Sequence, residues 1–296
     1  MSSRSPATPA RRKITQQPEQ KIEAFPRWAQ LGGGCPPVAR LGLATRGNTQ
    51  LAAEDIALAV ARGVNYLNWC GYDDGIAQAL RRKLIDRERV AVAMQLDAHR
   101  AAPAEDELEE AFRTLGSRRI DVVTFYYLEH RREWDQINSN NGALPLLQLE
   151  KQKGRVGLIG LTTHQRKLAA ACAEEKKVDL LMVRYNAAHR GAEQDVFPVT
   201  ERLGMPVIVY TAQRWGALRR KTQDDPPEFA PPAAIEWYRF ALAHPAVSVV
   251  LMAPNGRREL EENLKLLDDW RPPTPAQFEA LAAHGLRVRK HAGRFP

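Results

Sequence analysis

The chain has 296 residues, 44% hydrophobic and 26% charged, with 19 glycines and 20 prolines, which supports a sizeable core and excludes disordered, collagen-like and fibrous architectures. No run approaches the roughly 18 consecutive apolar residues of a membrane-spanning helix, and Arg11, Arg12 and Lys13 lead into polar residues rather than an apolar signal core, so a cytoplasmic chain without membrane contact is expected. Of the net charge of +8, residues 1–21 carry five basic side chains against one acidic, and residues 285–296 carry four basic ones; the body between is neutral, and no nucleic-acid partner is expected, because backbone binding needs a charged stripe on the folded surface.

Residues 1–25, rich in Ser, Pro, Gln and basic side chains and without periodicity, read as a tail outside the fold. Short β-branched or leucine-rich runs then alternate with segments of helical spacing. Eight strands are predicted: Leu41–Thr45, Val64–Asn68, Val90–Leu96, Ile120–Leu128, Val156–Leu161, Asp179–Arg184, Val207–Tyr210 and Val247–Met252. Between them, Glu54–Arg62 repeats Ile56, Ala57, Val60 and Ala61 on one helical face, and Glu105–Leu115 repeats Leu108, Ala111, Phe112 and Leu115. Strands as apolar as Val90–Met94 and Val247–Met252 are those of a parallel sheet buried on both faces. Eight strand–helix units in one chain of this length predict an α/β fold, a closed (β/α)₈ TIM barrel forming a single domain over residues 26–284, with a basic tail at 285–296.

The run Gly32–Gly34 leads into Cys35, Pro36 and Pro37 and no helix, so it is a loop and not a dinucleotide fingerprint. Two polar segments, His130–Gly142 and Ala212–Pro232, read as irregular inserts at the C-terminal face, where barrels build their active sites. Cys35, Cys70 and Cys172 show no C-x-x-C spacing; neither a disulfide framework nor a zinc ribbon is expected. The seven histidines form no metal-ligand pattern and there is no G-x-S-x-G elbow, so no metal site and no serine hydrolase are expected.

Polar and aromatic residues gather where the strands end: Asn68, Cys70 and Tyr72; Gln95 and Asp97; Tyr126, Tyr127, Glu129 and His130; Thr162, Thr163 and His164; Arg184, Tyr185, Asn186 and His189; Tyr210, Thr211, Arg214 and Trp215. Such a mouth can stack a flat aromatic ligand and donate hydrogen bonds to a phosphate. From Ala253 to Asn263 a strand end, an Asn-Gly turn and a helix start with Arg257 and Arg258 follow one another. The exposed N–H groups and two guanidinium forks there allow an anion site or a merely solvated helix start.

Taken in order, Leu41–Thr45, Gly63–Asn68, Arg119–Thr124, Gly154–Gly160, Arg184–Asn186, Val209–Thr211 and Leu260–Asn263 resemble the aldo-keto reductases over about residues 38–284. The resemblance implies a (β/α)₈ barrel that binds NADPH in an extended pose and reduces aldehydes or ketones. By that resemblance Tyr210 stacks on the nicotinamide with Thr211 after it, Thr162 and Thr163 grip the carboxamide, and Glu262 and Asn263 contact the adenine. Asn255 stands where relatives carry a basic residue for the 2′-phosphate, which leaves that task to Arg257 or Arg258.

At the catalytic positions the pattern departs. Asn68 stands at the Asp position, Gln95 at the Lys position and Tyr126 at the His position, while Tyr72 lies one residue closer to Asn68 than the usual Tyr. The motif from Val183 to Glu193, with Tyr210–Gly216 and Trp237–Phe240, looks like a divergent branch of the superfamily lacking most of the usual four residues. The leading expectation is an NADPH-dependent carbonyl reductase of altered mechanism, in which Tyr72 or Tyr126 donates the proton and Gln95 and Asn68 orient donor or substrate. A non-catalytic barrel that binds a nucleotide or a protein is the alternative, and a barrel of unrelated chemistry using His164, Glu129 or Asp97 is a third.

Overall fold

The computed structural model describes residues 25–45 and 50–291. The predicted N-terminal tail, Phe25 excepted, lies outside the described residues. A short antiparallel hairpin, β1 (Trp28–Ala29) and β2 (Val38–Ala39), precedes the repeating units. These run β3 (Leu41–Ala44), α1 (Ala53–Ala61), β4 (Tyr66–Trp69), α2 (Gly75–Arg81), β5 (Ala91–Leu96), α3 (Ala101–Leu115) and β6 (Ile120–Phe125). After α4 (Arg131–Ile137) and α5 (Ala143–Gln152) come β7 (Val156–Thr163), α6 (Arg166–Glu174), β8 (Leu180–Arg184), α7 (Ala192–Asp195) and α8 (Phe197–Leu203). The described residues end with β9 (Val207–Tyr210), α9 (Ala234–Leu242), β10 (Val247–Met252), α10 (Arg257–Leu264) and α11 (Pro275–His291).

The eight strands from β3 to β10 close into an all-parallel barrel, with β10 hydrogen-bonded to both β9 and β3. The predicted α/β barrel is the observed fold. Alternation along each strand sends one row inward: Tyr66, Ala91, Ala93, Val122, Leu158, Leu180, Met182, Ile208 and Val249 pack together in the barrel interior with Leu31 and Val38 from the hairpin side. The opposite rows join the helices in the larger outer core. At the N-terminal end the buried Arg40 guanidinium donates to the carbonyls of Leu242 and Val247 at 3.0 and 2.8 Å and to Pro26 at 3.1 Å, which ties the entry of β3 to the entry of β10. Burial pulls its pKa down to about 10.

The strand predictions differ from the structure only at their ends. Ile120–Leu128 stops at Phe125 and Val156–Leu161 continues to Thr163. The insert expected to be irregular over His130–Gly142 contains α4, because the Glu133 carboxylate accepts the N–H groups of Glu129 and His130 at 2.7 and 2.9 Å and Trp134 and Ile137 are fully buried. The Ala212–Pro232 segment is built of turns around one short 3₁₀ stretch, Ala217–Arg219. Among the described residues no helix is long and apolar enough to cross a membrane.

Of the basic C-terminal tail expected at 285–296, residues 285–291 are instead the second half of α11, and 292–296 lie outside the described residues. Arg287 pairs with Asp225 at 2.6 Å and Lys290 with Asp224 at 2.8 Å, while His284, fully buried, meets the Asp225 carboxylate at 3.1 Å and the Leu218 carbonyl at 3.1 Å. The positive charge that looked like a solvated end therefore pins the 212–232 segment to the helix. The close packing extends to Gly285, where a Cβ would sit 2.3 Å from the Ala187 carbonyl oxygen. Gly285→Ala is predicted to destabilise the protein by about 1–3 kcal/mol through overpacking, read as a lower urea midpoint; an unchanged midpoint would show that α11 does not seat against residue 187.

Candidate active site at the C-terminal mouth of the barrel

Above the last inward layer a cavity of about 560 Å³ opens at the C-terminal ends of the strands, the face where barrel loops converge. Its floor is Ala44, Asn68, Gln95, Met182 and Leu251, its walls Tyr127, Tyr210 and Tyr238, and its rim Thr211, Gln213, Trp215 and Arg219 on one side and Asn255, Glu259 and Asn263 on the other. Asn68 and Gln95 reach the floor because each stands two residues beyond an inward-facing neighbour, Tyr66 and Ala93. The Asn68 side chain is 2% exposed and its Oδ1 has no hydrogen-bond partner. Thr162, four residues beyond inward-facing Leu158, is fully buried, with its Oγ1 also without a partner. Thr163 accepts from the Gln165 N–H at 2.8 Å and, through its carbonyl, from the Tyr210 hydroxyl at 3.2 Å.

Not every residue expected at the site reaches it: Thr162 and Thr163 are buried beside Tyr210's strand partner β8 but are not among the residues that line the cavity. Tyr72 is 74% exposed and lies outside the cavity lining, held there because its carbonyl accepts the Trp69 indole N–H at 2.7 Å. Tyr126 does not line the cavity either; the adjacent Tyr127 does. The reason is local: Tyr127 adopts a φ of +40°, a conformation that bulky side chains rarely take, and the strand alternation breaks there. The Tyr127 ring stacks on His164 at 4.4 Å with an interplanar angle of 21°, and meets Tyr210 edge-on at 6.1 Å.

Arg257 is turned away into an ion pair with Asp55, and Arg258 is exposed and off the lining. Glu262 is half-buried and also off the lining, whereas Asn255 and Asn263 are on it. Sequence reasoning passed over Met182, Gln213, Arg219 and Tyr238. Tyr238 belongs to the quoted stretch Trp237–Phe240, and its hydroxyl accepts from Gln213 Nε2 at 2.5 Å, so the signal was in the motif without its orientation.

The electrostatics of the mouth are set by partial burial of charge. The Glu129 carboxylate accepts the His164 N–H at 3.1 Å and Gln165 Nε2 at 2.9 Å and lies 3.2 Å from the His164 ring. Burial lowers the His164 pKa against the opposing pull of Glu129. Burial also lowers Arg184, whose guanidinium feels the Tyr210 and Tyr127 phenols and Glu129. His189 is pulled down to about 4, first by burial and then by Arg184, Arg214, Arg289 and Arg166. Among the described residues no group of three or more His, Cys, Asp or Glu could hold a metal ion.

The model of the Aldo/keto reductase family matches residues 38–236. Among solved structures, an aldo-keto reductase from Bacillus halodurans in its holo form superposes with a TM-score of 0.70 at 15% identity, covering 88% of this chain and 96% of that one. The glycerol dehydrogenase from Gluconobacter oxydans gives 0.66 at 16% identity, covering 91% and 97%. An aldo/keto reductase from Klebsiella pneumoniae in complex with NADP and acetate gives 0.69 at 14% identity, covering 87% and 95%. No curated protein sequence matches the chain.

His189 provides a direct readout of the field at the mouth. Its folded pKa of about 4 lies below the ordinary 6.5, so the unfolded chain binds a proton first; the stability contributed by the neutral ring is full above pH 6.5 and is lost as pH falls toward 4. In NMR titration the His189 ring is predicted to stay neutral at about pH 5, where an unperturbed imidazole is protonated. A midpoint at or above the ordinary value would show that the ring is neither buried nor crowded by arginines.

Proposed function

The chain belongs to the aldo/keto reductase family, and from that membership we propose that it is an NADPH-dependent reductase of an aldehyde or ketone. The observation that carries this reading is the cavity at the C-terminal mouth, lined by the Tyr210 ring and by Asn68, whose buried Oδ1 lacks a partner. Buried polar atoms are as a rule hydrogen-bonded. The residues fit a nicotinamide nucleotide: Tyr210 would lie against the ring, Thr162 and Thr163 would meet the carboxamide, and Thr211, Asn255 and Asn263 would hold the extended nucleotide. Arg257 is engaged by Asp55, so contact with a 2′-phosphate falls to exposed Arg258 or to Arg219 on the cavity rim. When bound, the reduced nicotinamide supplies the hydride.

The chain's own residues have the remaining tasks. Asn68 and Gln95 present neutral amides on the floor, able to orient a carbonyl by hydrogen bonding without a charged pair. Of the two donor tyrosines first expected, Tyr72 faces solvent and Tyr126 lies off the cavity; Tyr127 is the neighbouring phenol on the wall, and it takes the role of proton donor in this reading. The aromatic walls exclude water from the reacting carbonyl, and orientation alone contributes substantially to rate.

NADPH added to the full-length protein is expected to show a shift of nicotinamide fluorescence, and its absorbance is expected to fall with a panel of aldehydes and ketones. Tyr127→Phe should lower kcat by about 10² to 10⁴, while Tyr72→Phe and Tyr126→Phe leave it near the parent value. No fluorescence change at near-millimolar NADPH would refute cofactor binding. Binding without consumption under any carbonyl would leave the non-catalytic nucleotide-binding barrel as the function.

A further inference from the structure

The segments that follow β6 and β7 meet beside the cavity wall. Backbone pairing of the two strands continues past the end of β6, where the Leu128 N–H donates to the Thr162 carbonyl at 2.9 Å. Tyr127 and Glu129 flank Leu128, and both reach His164. Glu129 Oε1 lies 3.2 Å from His164 Nδ1 and accepts the His164 backbone N–H at 3.1 Å, while its Oε2 accepts from Gln165 Nε2 at 2.9 Å. A carboxylate can only accept, so the neutral imidazole keeps its proton on Nδ1 and gains a second one at Nε2.

The face of the imidazole is engaged as well. It lies nearly parallel to the Tyr127 ring, with centroids 4.4 Å apart and planes inclined by 21°, and the Tyr210 ring meets it edge-on at 5.8 Å and 70°. Tyr127 lines the cavity and Glu129 and His164 do not, so the pair reaches a substrate there only through the phenol. Tyr127 also holds a φ of +40°, which persists in a bulky residue where neighbours over-determine it. The imidazole face is such a neighbour.

The same geometry couples charge to the phenol. With the imidazole neutral, the pair carries the negative charge of the carboxylate; with the imidazole protonated, the pair is neutral as a whole and sets a cation against the ring of Tyr127. A nearby cation favours a phenolate and a nearby carboxylate disfavours it, so the protonated pair makes Tyr127 the stronger acid. The groups that face His164 are Glu129 and Tyr127 from the segment after β6, Arg184 at the end of β8 and Tyr210 at the end of β9. Burial and Arg184 oppose protonation of the ring and Glu129 favours it, and the balance leaves its pKa below the ordinary imidazole value.

We propose that Glu129 and His164 position Tyr127 for proton transfer: the carboxylate holds the imidazole, the imidazole face holds the phenol at the cavity wall, and a proton gained at His164 Nε2 strengthens that phenol as an acid. The proposal rests on the reductase reading, in which Tyr127 is the proton donor. There the carbonyl carbon accepts the hydride that the reduced nicotinamide gives up on oxidation, the π pair moves to the carbonyl oxygen, and that oxygen takes the Tyr127 hydroxyl proton. The phenolate left behind recovers a proton from water at the open mouth.

The experiment is NMR titration of the full-length protein, without cofactor, with ¹³C-labelled histidine and tyrosine rings, the two stacked rings being identified by their through-space contact. In the parent protein the Tyr127 signals are expected to shift with the midpoint of His164, below the ordinary 6.5. Glu129→Gln should move both midpoints lower by withdrawing the charge that favours protonation. His164→Phe, which keeps a ring against the phenol, should abolish the Tyr127 shift. A Tyr127 signal that does not follow His164 in the parent protein overturns the proposal, and that measurement needs no variant to fold. The single-turnover rate of NADPH consumption with 4-nitrobenzaldehyde is expected to rise about 3- to 10-fold as pH falls through the same midpoint, and the profile to flatten in His164→Phe. An unchanged profile in His164→Phe overturns the proposal by assigning the titration to another group. Coupled rings without NADPH consumption refute the reductase reading alone; NADPH consumption with uncoupled rings refutes the positioning pair alone.

Discussion

Ring closure of the eight strands is the constraint on which the site depends. Because β10 hydrogen-bonds to both β9 and β3, each strand has an inward and an outward row, and the inward row must run out of apolar residues where the barrel meets solvent. Up to that level Tyr66, Ala93, Leu158, Met182 and Ile208 fill the interior. One step higher on four of the strands the same rows carry Asn68, Gln95, Arg184 and Tyr210. The polar floor and wall of the cavity are thus a consequence of strand length and period.

The lower end of the barrel is closed by different means. The β1–β2 hairpin brings Leu31 and Val38 into contact with the inner core, and Arg40 bonds the carbonyls of Pro26, Leu242 and Val247. A guanidinium that buries its charge for backbone acceptors stiffens the junction between first and last strands. Rigidity at this end leaves the C-terminal loops free to vary in composition without loss of the ring.

The upper end is organised by cross-links between distant segments. Asn186 joins the loop after β8 to the loop after β9, and Asp224 and Asp225 join the latter to α11 through Lys290, Arg287 and His284. In consequence the loops beside the Tyr127, Tyr210 and His164 rings are fixed to one another and to α11.

The barrel and its eight strands were legible from short apolar runs alternating with segments of helical spacing, and Asn68, Gln95 and Tyr210 were placed at the mouth by their positions at strand ends and by the family resemblance, a reading that holds wherever backbone hydrogen bonding is regular. It failed where regularity ends. Tyr126 was read as facing the site, but the left-handed backbone at Tyr127 exchanges the two rings, and no local pattern announces a positive φ at a tyrosine. Tyr72 carried the right chemistry on a loop whose direction depends on the Trp69 indole. The C-terminal basic residues read as a solvated tail, since their partners Asp224 and Asp225 lie some sixty residues away. The spacing of apolar runs thus dictates the fold, being a property of neighbours along the chain; the choice of facing phenol depends on a backbone conformation that no residue type announces, and the seating of α11 on the 212–232 segment arises from contacts between residues far apart, which only the folded chain brings together.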